Sequence, residues 1–265
     1  MSQPIDSTKP SRDRPIASTD AFSLEGRVIL VTGASSGIGA ATAQLCAQLG
    51  ARLVINGRDQ DRLSAVHAAL AGKDHTAIAG DLSRAETREA LMEASPGYDG
   101  LASCAGIAAL VPLRMANEAH LEKMLSVNYL APILLTQRLL YKKRIRNGAS
   151  LVYVTALSAN AAPQAAAGYA ASKAALEAAS RTLALEQAKL RIRSNCVAPG
   201  YVETPMLQGL GALAGMDDKI DLTPLGRLVP ADIASSICYL LSDASRWITR
   251  TTLTVDGGLG IPMRT

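Results

Sequence analysis

Short, mostly apolar runs alternate with longer mixed stretches along most of the chain. Seven runs have strand-like length and composition, and most of the stretches between them have helix-like spacing of apolar positions. The runs are 28–31, 52–55, 76–79, 100–103, 150–155, 192–197 and 252–255. Continuous apolar runs are typical of strands that are covered on both faces. The alternation therefore predicts an α/β fold, a doubly wound parallel (Rossmann-like) sheet with helices on both faces.

The first 24 residues differ from the rest of the chain. They are polar, contain three prolines, and carry positive and negative charges that nearly cancel. Such a composition predicts a flexible N-terminal tail over residues 1–24, followed by a single domain over residues 25–265. Within that domain, a small, apolar and glycine-rich stretch at about 205–224 has the composition of a mobile lid.

Composition narrows the class of protein further. Of 265 residues, 48% are hydrophobic but only 3% are aromatic, which predicts a core of small aliphatic side chains. The net charge of +4 is too mild to indicate nucleic acid or a membrane as partner. The four cysteines lack disulfide or metal spacing, which indicates a reduced, cytoplasmic protein without a metal site. No apolar run approaches a membrane span, and the N-terminus lacks the pattern of a signal peptide.

The first strand leads directly into a glycine-rich turn. Gly33, Gly37 and Gly39 follow the run 28–31 and precede a helix predicted over residues 40–49. A strand, a glycine turn and a helix N-terminus together form a cradle for the pyrophosphate of a dinucleotide. The spacing is G-x-x-x-G-x-G rather than the standard G-x-G-x-x-G, and an ordinary tight connection is the alternative. The cradle would consist of Gly33, Ser35, Ser36, Gly37, Ile38 and Gly39.

Tyr169 and Lys173 are the strongest candidates for chemistry. On a helix, a spacing of four places both side chains on one face. A lysine ammonium beside a phenol is expected to lower the tyrosine pKa from its usual value of about 10. A phenol tuned in this way exchanges a proton with a carbonyl or an alcohol. The same spacing also arises by chance in helices, so the pair gains weight only from the motifs around it.

These motifs, in this order, resemble the compact, single-domain branch of the short-chain dehydrogenase/reductase family. The matching features are residues 32–39, Asp81, Asn128, Tyr169 with Lys173, and residues 199–204, and the resemblance covers roughly residues 25–262. It implies hydride transfer between NADP(H) or NAD(H) and a carbonyl/secondary alcohol pair, with ketone reduction as one direction. Relatives are commonly homotetramers, so a homo-oligomer is expected, with the apolar helix at 170–185 as a possible dimer contact.

The resemblance also implies roles for individual residues. Asn128 would interrupt a helix and hold a water near Lys173, which in turn would bind the ribose hydroxyls. A solvent-facing Asn128, and Asp81 as a helix N-cap, are the alternatives. Beyond the cradle, the cofactor-binding set would comprise Arg58, Asp81, Leu82, Ala105, Gly106, Tyr169, Lys173, Pro199, Gly200, Val202 and Thr204.

Arg58 bears on the choice of cofactor. NAD-preferring relatives often carry an acidic residue at the end of the second strand, where this chain has Asn56 or Gly57 and then Arg58. A guanidinium at that place suits the 2′-phosphate, so NADP(H) is favoured over NAD(H). The alternative is a solvated arginine paired with Asp59 or Asp61.

The chain departs from the family pattern at two places. The family's catalytic serine lies about thirteen residues before the tyrosine, and residue 156 is alanine. Ser158 is the candidate substitute, while Thr155 is expected to point the other way. The family's Asn-Asn-Ala-Gly is replaced by Ser-Cys-Ala-Gly at residues 103–106, which puts the local connection between strands in doubt.

The sequence therefore predicts an NADP(H)-dependent oxidoreductase acting on an apolar, small-molecule carbonyl or alcohol, with Asn128, Ser158, Tyr169 and Lys173 as catalytic residues. One alternative is a cofactor-binding protein with impaired catalysis, for which Ala156 is the argument. The other is a reductase of carrier-bound 3-oxoacyl groups, for which a basic cluster is the argument. The basic cluster consists of Lys142, Lys143, Arg144 and Arg146.

Overall fold

A computed structural model describes residues 20–211 and 221–260. All seven predicted strands are present, and they form one parallel sheet. The strands are β1 (Val28–Thr32), β2 (Arg52–Gly57), β3 (Thr76–Ala79), β4 (Tyr98–Ser103), β5 (Ile145–Val154), β6 (Arg193–Pro199) and β7 (Thr252–Val255). The helices are α1 (Gly37–Gln48), α2 (Gln60–Ala68), α3 (Ala85–Glu93), α4 (Glu118–Leu125), α5 (Ala131–Tyr141), α6 (Ser158–Ala161), α7 (Ala167–Glu186), α8 (Pro205–Gly211) and α9 (Pro230–Leu241).

The order of the strands fixes where a ligand can bind. Across the sheet the order is β3-β2-β1-β4-β5-β6-β7, so the chain runs outward in one direction from β1 and in the other from β4. A crevice opens at the carboxyl ends of strands where the winding direction reverses. That switch point lies between β1 and β4. The predicted doubly wound parallel sheet is confirmed.

Helices cover both faces of the sheet, as continuous apolar strands require. On β1, Ile29 and Val31 belong to a core shared with α1 and α9, while Val28 and Leu30 belong to a second core shared with α3, α5 and α7. Successive side chains of a strand point to opposite faces, so one apolar strand supplies both layers. The α1–α9 layer contains Cys46 and Cys238, both free and buried, with their Sγ atoms 3.5 Å apart.

The packed fold begins earlier than residue 25. Leu24 is fully buried, its N–H donates to the carbonyl oxygen of Leu49, and the Phe22 ring lies 6.2 Å from the ring of Tyr239. The domain boundary predicted after residue 24 is therefore too late in the chain. Phe22 and Leu24 are apolar residues in an otherwise polar segment, and they pack against the domain. The rest of the predicted tail, residues 1–19, lies outside the described residues. No helix of the described part of the chain is long and apolar enough to cross a membrane.

The first part of the predicted lid is helical, and its last described residues, 222–224, are not. Its first residues form α8, and Met206, Leu207 and Leu210 of this helix line the cavity described below. Residues 212–220 of the same stretch lie outside the described residues.

The basic cluster lies at the opposite end of the sheet from these loops. α5 ends at Tyr141, and β5 begins at Ile145, so the cluster surrounds the amino end of β5. Two of its members are engaged, Arg146 with Asp99 and Arg144 with the carbonyl oxygen of Pro96. The length of β5 separates this cluster from the crevice by roughly 25 Å.

Candidate active site

The glycine turn after β1 is built for a close approach of backbone to ligand. Gly33 and Gly37 have φ of 69° and 55°, in the left-handed region that favours glycine. A Cβ on Gly33 would lie 2.7 Å from Ala105, and one on Gly39 would lie 2.2 Å from the carbonyl oxygen of Gly33. The first N–H groups of α1 have no intrahelical partner, and no side chain caps them. The turn therefore fits the diphosphate of a dinucleotide.

The catalytic candidates Tyr169 and Lys173 lie on α7, as their spacing predicts. Lys173 is almost completely buried, and its Nζ donates to the carbonyl oxygen of Val154 at 2.9 Å. The same Nζ lies 5.9 Å from the centroid of the Tyr169 ring. Both side chains line a single cavity at the carboxyl ends of the strands.

The predicted fall of the Tyr169 pKa is wrong for this structure. Burial raises the pKa of Tyr169 to about 12, because the phenolate loses its hydration. Burial also lowers the pKa of Lys173 to about 8, since it disfavours the ammonium. In the free protein the two groups are therefore shifted mainly by desolvation and not by each other. Near neutral pH, Tyr169 carries its proton.

Asn128 is completely buried, so the solvent-facing alternative is wrong. It lies in a five-residue π-helical stretch, Ser126–Leu130, between α4 and α5. Its Oδ1 accepts from the N–H of Ile107, and its Nδ2 donates to the carbonyl oxygen of Ile107 and to Ser172 Oγ. A Cβ on Gly106 would lie 3.1 Å from Asn128 Oδ1 and 3.3 Å from Lys173 Nζ. Three of the predicted site residues therefore meet at one point, and glycine leaves the space open.

Ser158 carries a free hydroxyl and lines the same cavity as Tyr169. The chain does not stay extended after β5. Leu157 is already helical, and Ser158 begins α6. Both Ala156 and Ser158 line the cavity, and the buried Ser158 Oγ has no hydrogen-bond partner among the described residues. Thr155 Oγ1 instead binds Glu177 and the carbonyl oxygen of Val197, so the hydroxyl of Thr155 is directed away from substrate as predicted.

Arg58 and Asp81 follow β2 and β3 at the carboxyl edge of the sheet. Asp59 pairs with Arg62, and none of the ion pairs of the described residues involves the exposed Arg58. The Asp81 carboxylate accepts from the N–H and hydroxyl of Ser83, and these bonds, with the charge of Arg58, lower its pKa. Asp81 therefore forms a turn before α3 and not its N-cap, which is Arg84.

Strand β2 has no room for an acidic side chain at its end. A Cβ on Gly57 would lie 2.8 Å from the Ser35 side chain. Asn56, the other residue at that place, is buried and donates to the carbonyl oxygens of Ile78 and Gly80, which ties β2 to β3. Leu82, a member of the predicted cofactor-binding set, is buried.

The loop after β6 closes the crevice over the glycine turn. Pro199, Gly200, Val202 and Thr204 all line the cavity. The methyl group of Thr204 would lie 3.2 Å from a Cβ on Gly37, so this loop meets the cradle directly. The Thr204 hydroxyl also accepts from the N–H of Leu207 in the first turn of α8, which couples the lid helix to the same loop.

Replacement of the family's two asparagines does not disrupt the end of β4. The pairing of β1 with β4 continues to Thr32 and Ser103. Beyond it, the N–H groups of Cys104 and Ala105 donate to the carbonyl oxygen and the hydroxyl of Thr32. Thr32 therefore connects the two strands at the switch point. Cys104 lines the cavity, but burial raises the pKa of its thiol to about 12, so the thiol stays neutral.

The cavity has a volume of about 570 Å³. Lys173 is the only charged side chain among the described residues that line it. Apart from the catalytic candidates, Gln164, Tyr201 and Thr204 supply polar groups. Most of the remaining lining is aliphatic, from Ile38, Ile107, Ala108, Leu110, Val154, Leu157, Ala161, Leu207, Leu210, Leu222 and Leu259.

Sequence reasoning missed Glu177. This buried glutamate lies on α7, four residues after Lys173, where it binds Thr155. The repeated spacing of four from Tyr169 through Lys173 was a signal for it, because all three share one helix face. Gln164 and Tyr201 were also missed, since a lone polar residue in a loop carries no pattern.

The comparisons place this geometry among known enzymes. The family model described as enoyl-(acyl carrier protein) reductase matches residues 33–260. A 3-oxoacyl-[acyl-carrier-protein] reductase of Thermotoga maritima is 35% identical over 246 residues, covering 90% of this chain and 99% of the relative. A glucose 1-dehydrogenase of Gluconobacter oxydans is 33% identical over 250 residues, covering 88% and 92%. The solved structure of a short-chain dehydrogenase/reductase (glucose/ribitol dehydrogenase) from Brucella melitensis superposes with a TM-score of 0.82 at 35% identity, covering 90% and 98%.

Proposed function

The chain belongs to the short-chain dehydrogenase/reductase family of oxidoreductases, and we propose that it transfers a hydride between NADP(H) and the carbonyl or secondary alcohol group of an apolar small molecule. One observation carries the proposal. Tyr169, Lys173 and the free hydroxyl of Ser158 line the same largely aliphatic cavity, which extends to the glycine cradle through Ile38 and Thr204. The four free cysteines are consistent with a cytoplasmic enzyme.

The cradle, Thr204, Asp81 and Arg58 would hold the dinucleotide, whose nicotinamide supplies or accepts the hydride when bound. Ser158 donates a hydrogen bond to the substrate oxygen. Tyr169, which is neutral near pH 7 because its pKa is raised to about 12, gives its proton to that oxygen during reduction. For alcohol oxidation the phenol must lose its proton first.

Lys173 and Asn128 would restore the proton. Lys173 has a pKa lowered to about 8, so it can give up a proton near physiological pH. Asn128 Oδ1, which accepts from the N–H of Ile107, and Lys173 Nζ both lie close to Gly106, 3.1 Å and 3.3 Å from the position a Cβ would take there. A water bound between these two polar groups would connect Lys173 to Asn128.

NADP(H) is the proposed cofactor because of Arg58 and Gly57. Arg58 is exposed and has no ion-pair partner among the described residues, which leaves its guanidinium available to a 2′-phosphate. Gly57 leaves no room for the carboxylate that would hold the unphosphorylated ribose. We expect Arg58→Ala to weaken NADPH binding about tenfold or more and to leave NADH binding nearly unchanged, as measured by fluorescence titration.

A second candidate is the reduction of carrier-bound 3-oxoacyl groups. The name of the Thermotoga maritima relative favours it. The basic cluster that suggested a carrier site lies at the amino end of β5, roughly 25 Å from the cavity, so it cannot guide an acyl chain into it. A carrier-linked substrate should show salt-sensitive affinity that a short thioester analogue lacks, whereas a free ketone is salt-insensitive.

The decisive experiment measures NADPH oxidation against a panel of neutral ketones by wild type and Tyr169→Phe. We expect wild type to turn over at least one apolar ketone. The variant keeps the ring but loses the proton, so its kcat should fall at least 100-fold, far more than its affinity for NADPH changes. Tyr153→Phe is the matched control, because this buried phenol bonds Thr136 away from the cavity. Undiminished kcat in Tyr169→Phe would reject the proposal.

A further inference from the structure

A buried carboxylate shares the helix of the two catalytic candidates. Glu177 is only 4% exposed, and it follows Tyr169 and Lys173 at intervals of four on α7. Removing a carboxylate from water is costly unless it is hydrogen-bonded or paired, so a buried glutamate needs partners. None of the roles in hydride or proton transfer proposed above uses it.

The partners of Glu177 lead to the strand beneath the substrate. Its Oε1 accepts from Thr155 Oγ1 at 3.0 Å, and its Oε2 lies 3.7 Å from Arg181 one turn further along α7. Thr155 also donates through its N–H to the carbonyl oxygen of Val197 at 2.8 Å. The carboxylate therefore joins the catalytic helix to the point where β5 ends and β6 runs alongside.

This bond lies next to another that fastens β5 to α7. Lys173 Nζ donates to the carbonyl oxygen of Val154, the last residue of β5, and Glu177 accepts from the next residue, Thr155. Two successive residues at the end of the strand are thus held by two residues one helical turn apart. Immediately beyond them the chain turns into α6, which begins at Ser158.

The two bonds differ in whether their residues have a further proposed role. Lys173 is proposed to bind cofactor and to pass a proton, so its bond to Val154 is not reserved for structure. Thr155 and Glu177 have no such second role. Their bond holds the end of β5 in the same place relative to α7 whatever Lys173 does.

Resting on the proposed function, we propose that Glu177 is a positioning residue that acts through Thr155. It holds the carboxyl end of β5 against α7, so that Ser158 and Tyr169 can both hydrogen-bond to the same substrate oxygen. This role also bears on the alanine at position 156. Ser158 lies two residues beyond the usual position of the serine, and it follows shortly after the segment that Glu177 anchors. Without that anchor, α6 would be free to shift relative to α7.

The test compares Thr155→Val, Thr155→Ser and Glu177→Gln with Ser180→Ala. Valine keeps the shape of threonine but removes the hydroxyl that Glu177 accepts from, whereas serine keeps it. Ser180 is a matched control. It lies on α7, as Glu177 does, but away from the cavity, and its hydroxyl forms a buried hydrogen bond with Ser194 at 2.8 Å. The readouts are kcat, KM for ketone, Kd for NADPH, and Tm.

A displacement of about 1 Å between reacting groups can reduce a rate by about 100-fold. We expect Thr155→Val to lower kcat about 10- to 100-fold with Kd for NADPH unchanged, and Glu177→Gln, which keeps an amide oxygen as acceptor, to lower kcat less. Thr155→Ser should recover most of the rate. Ser180→Ala should lower Tm as much as Thr155→Val but keep kcat.

Two results would overturn the proposal. One is a kcat unchanged in Thr155→Val. The other is equal loss of kcat in Ser180→Ala at matched Tm, which would make the effect one of general stability. A wild type that reduces no ketone would reject the proposed function instead. The positioning role would then be decided by crystal structures, in which the Ser158–Tyr169 separation must differ from wild type in Thr155→Val and not in Ser180→Ala.

Discussion

At the scale of single residues, the alanine at position 156 is the main argument against catalysis, and the hydroxyl of Ser158 answers it. A buried hydroxyl without a hydrogen-bond partner is unfavourable in a folded protein. The unpartnered Ser158 hydroxyl in the cavity therefore favours a ligand that accepts its hydrogen bond. The chain therefore has a free hydroxyl in the cavity that Tyr169 lines, two residues beyond the position usual for the family. A protein that binds cofactor without catalysis would have no need of it.

The two positions can be exchanged experimentally. We expect Ser158→Ala to lower kcat about 100-fold, the typical effect of removing one hydrogen-bond donor from a developing oxyanion. Adding Ala156→Ser to that variant should restore activity, since it supplies a donor at the position usual for the family. The measurement is kcat for wild type, both single variants and the double variant on one ketone.

That cycle has a clear contrary outcome. If Ser158→Ala retains full kcat, Ser158 is not the donor, whatever Ala156→Ser does. If Ala156→Ser alone raises kcat by a large factor, the wild-type site lacks a working donor.

The buried ammonium of Lys173 makes stability depend on pH in a defined window. Its pKa is lowered by burial from 10.5 to about 8, so between these values the unfolded chain holds a proton that the folded protein has released. The unfolded state then binds more protons, and the free energy of unfolding rises with pH. Tyr169, whose pKa is raised from 10.0 to about 12, acts in the opposite sense only above pH 10.

Comparison with Lys173→Met isolates this effect. From pH 8 to 9.5, the unfolding free energy of wild type should increase relative to the variant by about 1.5 kcal/mol. Urea denaturation at several pH values measures it, without cofactor. A constant difference between the two proteins across that window would show that Lys173 keeps its ordinary pKa.

At the scale of secondary-structure elements, the sequence predicted what local pattern controls. All seven strands were found because each contains an apolar run, and β3 and β7 have the predicted bounds. β5 begins five residues earlier than predicted, since Arg146, Asn147 and Gly148 broke the apolar pattern. This first part pairs with β4 only at Tyr98, across an irregularity. Tertiary pairing, and not local preference, extends the strand.

The π-helical stretch at Ser126–Leu130 had no signal in the spacing of apolar residues. One extra residue per turn leaves no distinctive composition, and π-helical turns occur frequently at functional sites. Only the resemblance to a family placed a helix interruption at Asn128. The partner of Thr155 was likewise hidden, because the contact joins residues 22 apart in the sequence.

The cradle provides the prediction that belongs to this scale. Gly39→Ala would place a Cβ 2.2 Å from the carbonyl oxygen of Gly33, so α1 must move away from the turn. We expect at least tenfold weaker NADPH binding and a loss of about 1–3 kcal/mol of stability, as for other overpacked sites. Isothermal titration and denaturation measure the two effects.

The control for this substitution is Gly209→Ala in α8, where nothing lies within 4 Å of the added Cβ. It should keep NADPH affinity and should not reduce stability, because alanine favours a helix more than glycine does. Equal NADPH affinity in Gly39→Ala and wild type would contradict the role of this turn as the diphosphate site.

At the scale of the whole molecule, the strand order collects distant motifs at one edge. Candidate site residues follow β1, β2, β3, β4, β5 and β6. They meet because parallel strands end at the same edge of the sheet. The motifs could be identified from the sequence, but the contacts between residues that follow different strands could not. The electrostatic balance within the cavity could not be predicted, since burial of Tyr169 and Lys173 outweighs their mutual charge effect.

The outer surface of α5 carries an unusual amount of exposed apolar side chain. Leu130 at the helix start, Leu134 and Tyr141 are 46%, 42% and 70% exposed and follow one another at intervals of four and seven residues, so they share a face. On α7, Leu185 is 59% exposed. Exposed apolar side chains grouped on one helix face favour an interaction with another surface.

We therefore expect the protein to form at least a dimer through the exposed faces of α5 and α7. Leu134→Glu would bury a carboxylate in that contact and should shift the molecular mass from oligomer toward monomer, as measured by light scattering after size exclusion. Ala71→Glu, at an exposed site between α2 and β3, adds the same charge elsewhere and should leave the mass unchanged. A monomeric wild type would show that no such contact exists. An oligomer that survives Leu134→Glu intact would place the contact on another surface. Retained Tm in Leu134→Glu is needed for the first interpretation, because a misfolded variant also changes its mass.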